Sequence, residues 1–142
     1  MRHNHGGYVR TLEYLVSNFF DQDVQIAELK GHEKMKPMLA QAQKDRKFSG
    51  KLIVLVDSES ASGSELFART MQLEKRGVVI GDVTAGAVMQ SSVHHLRYGG
   101  LTAVFYAASI TNADVIMKDG KVWRGLESYL LSYCYRLRRS LR

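Results

Sequence analysis

The sequence predicts a single α/β domain, and three observations lead there. A continuous apolar run, Leu52-Ile53-Val54-Leu55-Val56, is followed by a helical pattern from Gly63 to Arg76 and then by the triplet Val78-Val79-Ile80. Two further strand-like segments, Ser92 to Tyr98 and Leu101 to Ala107, flank the glycine pair Gly99-Gly100. A chain of 142 residues, 45% hydrophobic and 24% charged, is long enough to bury a core of its own.

The elements follow in order. Leu12, Leu15, Val16 and Phe19 recur at helical spacing, so a helix is expected over residues 8–20, after Gly6-Gly7. Val24, Ile26 and Glu28 then alternate like a short strand. Pro37 is tolerated in a first helical turn, and a helix is expected from Met38 to Lys47, with Lys44 to Lys47 as a solvated charge run. Residues 51–57 read as a strand buried on both faces, because the apolar run does not alternate. The helix 63–76 turns Leu66, Phe67, Met71 and Leu73 inward and ends at Gly77. Val78 to Ile80 gives a second buried strand, closing at Gly81-Asp82. Together these form a βαβ unit whose strands are expected to be parallel neighbours. After the loop Thr84 to Met89 come the two strands joined at Gly99-Gly100. Val115-Ile116-Met117 with Asp119-Gly120 reads as a last strand and turn.

Charge excludes one class of function. The net charge is +6, but residues 1–120 hold 14 Lys/Arg against 13 Asp/Glu, and residues 121–142 hold six Lys/Arg against Glu127 alone. The basicity belongs to the last segment, so a nucleic-acid-binding face is not expected. The single Cys134 allows neither an internal disulfide nor a cysteine metal cluster. No apolar run approaches the ~20 residues of a membrane span, and the first residues lack the pattern of a signal peptide.

The stretch Ser60-Ala61-Ser62-Gly63-Ser64-Glu65 joins the strand 51–57 to the helix that follows. A serine at such a turn has an exposed hydroxyl beside free backbone N–H groups and a helix dipole, which are the surroundings that acyl transfer needs. Ser62-x-x-Glu65 is also the spacing of a capping box, and spacing alone favours the cap. His94 and His95 are the candidate bases; adjacent on a strand, they face opposite ways. His3 and His5 alternate before Gly6-Gly7, but with no third ligand they do not make a metal site.

The segment Val54 to Ala68 resembles the core of the carboxy-terminal processing peptidases, also called tail-specific serine proteases. The likeness extends through Val78-Val79-Ile80-Gly81-Asp82-Val83-Thr84-Ala85-Gly86. It also includes Arg2-x-Asn4-x-Gly6-Gly7, which is similar to the family's Arg-x-Asn-Pro-Gly-Gly turn. The resemblance implies a crotonase-like α/β core and a nucleophile at Ser62. It implies an oxyanion hole from the backbone N–H of Gly63 and of Gly6 or Gly7, consistent with a helix start and a glycine turn that admits close backbone approach. It implies polypeptide substrates, no cofactor and no metal.

One departure concerns the base. Well-known members resemble Thr-x-Gly-Lys after the second strand, whereas Thr84-Ala85-Gly86 is followed here by Ala87, which accepts no proton. Gln90 falls one position from the glutamine that orients that lysine. A branch of the family is similar to this chain in carrying Gly86-Ala87-Val88-Met89, and serine–histidine members take their histidine from upstream of the Arg-x-Asn turn. The base is then absent, or is His94 or His95.

Both ends raise expectations of their own. Met1 falls where relatives resemble the end of a core strand, so residues 1–121 are expected to be the C-terminal part of a catalytic domain. Incomplete burial there would leave apolar surface open to self-association. Beyond Lys121, relatives resemble Ser-Leu-Glu-Arg-Val-Gly-Val-Ile-Pro, and a one-base slip in a coding sequence for that peptide can yield Val122 to Leu130. Residues 122–142 are thus expected to be a basic, out-of-frame tail; the bland alternative is an amphipathic helix from Leu126 to Leu137. The function expected is a serine endopeptidase, or part of one, acting through a Ser62 acyl-enzyme. The alternative is an inactive α/β remnant or binding domain in which Ser62 only caps a helix.

Overall fold

The computed structural model of the chain describes residues 1–32, 34–43, 47–98 and 104–120, with the backbone alone for 92–98 and 104–112. Residues 122–142, the glycine pair Gly99-Gly100, and the side chains of His94 and His95 therefore lie outside what is described.

Among the described residues eight elements are ordered α1 (Val9–Ser17), β1 (Val24–Gly31), β2 (Met38–Ala40), β3 (Ile53–Val56), α2 (Gly63–Leu73), β4 (Val78–Gly81), β5 (Gln90–Tyr98) and β6 (Val104–Met117). They make two sheets. One is four-stranded and antiparallel, in the order β2-β1-β6-β5; the other pairs β3 with β4. The β3–α2–β4 unit is the expected one: its strands are parallel neighbours, with Ile53 opposite Val78 and Val56 opposite Gly81. The fold is that of the expected α/β core.

The core forms where the amphipathic elements converge. Leu12 and Val16 of α1, Ile26 of β1, Val54 and Val56 of β3, Leu66, Phe67 and Met71 of α2, Val79 of β4 and Val115 of β6 are all buried. Ala68 is fully buried on α2, and its small side chain suits close packing with the neighbouring elements. The helix ends in a Schellman arrangement, Arg76 N–H to Met71 O at 2.9 Å and Lys75 N–H to Gln72 O at 3.1 Å. The left-handed residue is Lys75 rather than the expected Gly77.

Three other expectations are corrected. Residues 38–40 form a strand and not the start of a helix, because Val24 and Gln25 of β1 pair with Ala40 and Leu39 and the alternation of burial matches a pleat. Glu13 of α1 also accepts the Leu39 N–H at 3.2 Å, so tertiary partners outweigh the Pro37 signal. The strand β3 is buried on one face only: Ile53 is 61% exposed and Leu55 47%, next to Val78 at 51%. A continuous apolar run thus presents one face to the core and leaves an apolar patch on the other, of the kind partners often cover. Val115 to Met117 is not a separate strand but the end of the 14-residue β6. Beyond its pairing with β1, which stops at Gly31 opposite Ala113, β6 continues as a ribbon with β5.

Arg76 fastens the segment before β3. Its guanidinium donates from Nε to Phe19 O at 3.0 Å and from a terminal nitrogen to Phe48 O, and it lies 5.7 Å from the centroid of each phenyl ring. Two charge-assisted bonds and two cation–π contacts predict that Arg76→Ala costs about 2 kcal/mol in chemical denaturation. Arg76→Lys, which keeps the charge but loses the planar fork, recovers less than half of it.

Candidate active site

Three serines in the turn between β3 and α2 look equivalent in the sequence and are not. Ser60 is fully buried; its hydroxyl donates to Met1 O at 2.9 Å and accepts from the Asp57 N–H at 3.0 Å. Ser64 is buried, and its hydroxyl donates to Asn4 O at 2.5 Å. These two tie the turn to residues 1–4. Ser62 alone is partly exposed, and it lines a cleft of about 1070 Å³.

The residue occupies the N-cap position of α2 with φ 52° and ψ −119°, a conformation unfavourable for any residue with a Cβ. The expected capping box is present, with the Ser62 N–H donating to Glu65 Oε2 at 2.8 Å and the Glu65 backbone facing the Ser62 side chain. The Glu65 N–H gives its hydrogen bond at 3.0 Å to the Ser62 carbonyl, and the Ser62 hydroxyl makes no cap hydrogen bond. The hydroxyl is left for the cleft.

The glycine turn lies directly against this serine. Gly6 has φ +88°, and a Cβ built on it would meet Gly63 N at 2.6 Å and Ser62 Cβ at 2.8 Å, so only glycine allows the approach. The Gly6 N–H is taken by Asn4 Oδ1 at 2.8 Å. Among the described residues no hydrogen bond engages the N–H of Gly7 or of Gly63. Of the two turn glycines, Gly7 is thus the one with a donor to offer, beside Gly63.

Electrostatics favour an anion here. Gly63 opens α2, and α1 begins two residues after Gly7 with Tyr8 as an N-cap that supplies no side-chain bond and with no acid in its first turn. Both helix starts, Val9 to Thr11 and Ser62-Gly63, line the same cleft. Their unsatisfied N–H groups lower the energy of negative charge between them, with the α2 dipole shared with the Glu65 carboxylate in its first turn. The floor of the cleft is apolar, built from Leu12, Met38, Leu66 and Val115.

Asp57, at the end of β3, holds the other end of the turn. Its carboxylate accepts the His3 N–H at 3.1 Å and 3.2 Å on its two oxygens and lies 3.4 Å from Arg2 Nε. Desolvation pulls this carboxyl up. The His3 and Glu59 N–H groups, the Ser60 hydroxyl and the His3 charge outweigh it and hold the group at about 2, below its ordinary 3.8. Asp57, Ser60 and Ser64 did not stand out as site residues in the sequence, because the bonds that tie them to residues 1–4 span more than 50 residues.

The position that carries lysine in the resembled family is occupied by Ala87, whose N–H donates to Glu65 Oε2 at 3.0 Å. That oxygen also holds the Ser62 N–H, so the two nitrogens are within about 6 Å of each other. Gln90 lines the cleft, and its buried Oε1 has no hydrogen-bond partner. His94 and His95 stand on the β5 ribbon opposite Ala108 and Ala107, about 13 Å or more along the strand from Gln90. His3 is exposed and pairs with Glu59 at 2.6 Å, His5 is exposed, and no metal cluster occurs among the described residues.

Comparison with known proteins gives a consistent answer. The sequence model described as peptidase family S41 matches residues 1–120. Similar solved structures include mature CPAF (TM-score 0.70, 14% identity, covering 90% of this chain and 37% of that one). The photosystem II D1 C-terminal processing protease is alike at TM-score 0.68 and 21% identity, over 90% of this chain and 32% of that one. A lipoprotein from Streptococcus agalactiae is alike at TM-score 0.64 and 13% identity, over 87% and 44%. The chain therefore spans less than half the length of these structures, and at such identities the likeness is one of fold.

Two outcomes follow from the turn. Gly6→Ala is expected to cost at least about 2 kcal/mol, since it adds both a left-handed alanine and a clash. Gly7→Ala, whose Cβ meets nothing within 4 Å, is expected to stay within about 0.5 kcal/mol; thermal melts of the pair distinguish them. Because the Asp57 carboxyl is lowered on folding, its contribution is complete above 3.8 and is lost as pH falls through about 2. The stability gap between the natural chain and Asp57→Asn is expected to be constant above about pH 4 and to close by about pH 2.

Proposed function

The chain belongs to peptidase family S41, and from that membership we propose that Ser62 is the nucleophile of a serine peptidase that acts on polypeptides. The observation that carries the reading is the pair of unengaged N–H groups, Gly7 and Gly63, close to one another beside a serine whose hydroxyl makes no cap hydrogen bond. In this reading Ser62 Oγ attacks the carbonyl carbon of a peptide bond. The carbonyl oxygen becomes an oxyanion held by the two N–H groups and the two helix starts. Collapse breaks the C–N bond, the amine leaves with a proton, and water hydrolyses the Ser62 ester.

The missing part is the base. Ala87 offers no proton acceptor at the position of the family's lysine, which supports the reading of a branch without that lysine. His94 and His95 belong to a ribbon that leads away from the cleft wall at Gln90. Ser62 is then a positioned but unassisted nucleophile, so the described part of the chain has little or no turnover by itself. Substrate length and the place of cleavage belong to the longer relatives; the likeness to the D1 C-terminal processing protease makes a C-terminal segment of a polypeptide the natural candidate.

The competing reading is a binding domain in which Ser62 only starts a helix. It is favoured by the capping-box pairing of Ser62 with Glu65 and disfavoured by a Ser62 hydroxyl that makes no cap hydrogen bond. A fluorophosphonate probe separates the two. Slow labelling that disappears in Ser62→Ala supports the nucleophile. Ala87→Lys, whose amine starts within reach of Ser62, is expected to speed labelling by about tenfold or more. A folded chain that stays unlabelled in both forms belongs to the binding class.

A further inference from the structure

Glu65 is buried to 0% exposure, yet it carries more hydrogen bonds than a capping box requires. Its Oε2 accepts the N–H of Ser62 at 2.8 Å and of Ala87 at 3.0 Å. Its Oε1 accepts the Thr84 hydroxyl at 2.6 Å and the Gly86 N–H at 2.8 Å. Its own N–H donates to the Ser62 carbonyl at 3.0 Å. A helix cap needs only the first of these. The other three carboxylate bonds come from 19 to 22 residues downstream and do nothing for the helix start.

We propose that Glu65 is the positioning residue of this site: one buried carboxylate holds Ser62 in its unfavourable conformation and locks the 84–87 segment against it. The proposal rests on the reading of Ser62 as nucleophile. The physical case has three steps. A serine at φ 52° relaxes towards negative φ unless something restrains it, and Glu65 grips Ser62 on both sides, at its N–H and at its C=O. A buried carboxylate demands donors, so its charge holds the Ser62 and Ala87 N–H groups on the shared Oε2. Finally, the bond withholds the Ser62 N–H from the cleft, which leaves Gly7 and Gly63 to meet the substrate oxygen. Glu65 touches no substrate in this arrangement; it acts through the two segments it joins.

Glu65→Gln tests this, because the amide removes the charge from all four bonds and sets its NH₂ against the Ser62 and Ala87 N–H groups or, flipped, against the Gly86 N–H. Thr84→Val is its companion, since it removes one bond to the same carboxylate but leaves the shared Oε2 intact. Both variants are measured below their melting temperatures for the rate of fluorophosphonate labelling and for amide hydrogen exchange at Ser62 and Ala87. The expectation for Glu65→Gln is labelling slowed by about tenfold or more, the size of a lost charge-assisted bond. Protection at Ser62 and Ala87 falls together. For Thr84→Val the expectation is a lowered melting temperature with labelling within about twofold and both amides still protected.

Wild-type labelling by Glu65→Gln overturns the proposal. So does a loss of labelling in Thr84→Val that tracks its loss of stability, for then Glu65 is merely structural. If the natural chain is not labelled at all, the nucleophile reading has failed separately, and the exchange data decide alone. Independent exchange of Ser62 and Ala87 in Glu65→Gln contradicts the shared anchor. Should Glu65→Gln not fold, replacing Ala87 by its α-hydroxy acid removes only that N–H; slower labelling supports the anchor, and an unchanged rate overturns it.

Discussion

A carboxylate without access to water has to find all its partners in the protein, and Glu65 finds them in two places far apart in sequence. It sits in the first turn of α2, where the helix dipole favours its charge. Its remaining demand for donors is met by the backbone and hydroxyl of residues 84–87, the loop that leaves β4. The parallel pairing of β3 and β4 brings the two loops to the same end of the sheet, because both strands run the same way. The loop after each strand then meets the other beside the start of α2. The βαβ unit makes the junction possible, and the buried carboxylate makes it rigid.

A second constraint works from the opposite side. The turn before α1 reaches the serine loop only because Gly6 lacks a Cβ, and it stays there because polar groups of both partners are shared. Asp57 holds the His3 N–H, Ser60 and Ser64 reach back to the Met1 and Asn4 carbonyls, and the Ala61 N–H donates to Asn4 O at 3.0 Å. The result is two helix starts facing one cleft with their first N–H groups unsatisfied. Such an arrangement is costly for a cleft that does nothing and useful for one that must stabilise a transient anion.

Much of this was legible in the chain, for reasons that differ by residue. The β3–α2–β4 unit was clear because its periodicities are local. The Gly6-Gly7 turn and the Ser62 loop stood out as motifs, although spacing alone could not tell a cap from a nucleophile. What settled nothing in the sequence was long-range pairing. Met38 to Ala40 follows the helix-opening Pro37 and still forms a strand, since β1 offers it a ladder. Ile53 and Leu55 look like core and face outward, since a continuous apolar run does not reveal how many layers cover it. Glu65 read as one half of a capping box, because three of its four carboxylate partners are a strand and a loop away.

The central claim is that Gly7 and Gly63, and not Gly6, offer the N–H groups that meet an oxyanion on Ser62. It is tested most directly by solving the structure of the fluorophosphonate adduct and locating the phosphoryl oxygen. The account predicts that oxygen within hydrogen-bond distance of both the Gly7 and Gly63 nitrogens, with the Gly6 N–H still on Asn4. An adduct whose phosphoryl oxygen points to solvent, or that forms on a residue other than Ser62, would contradict it.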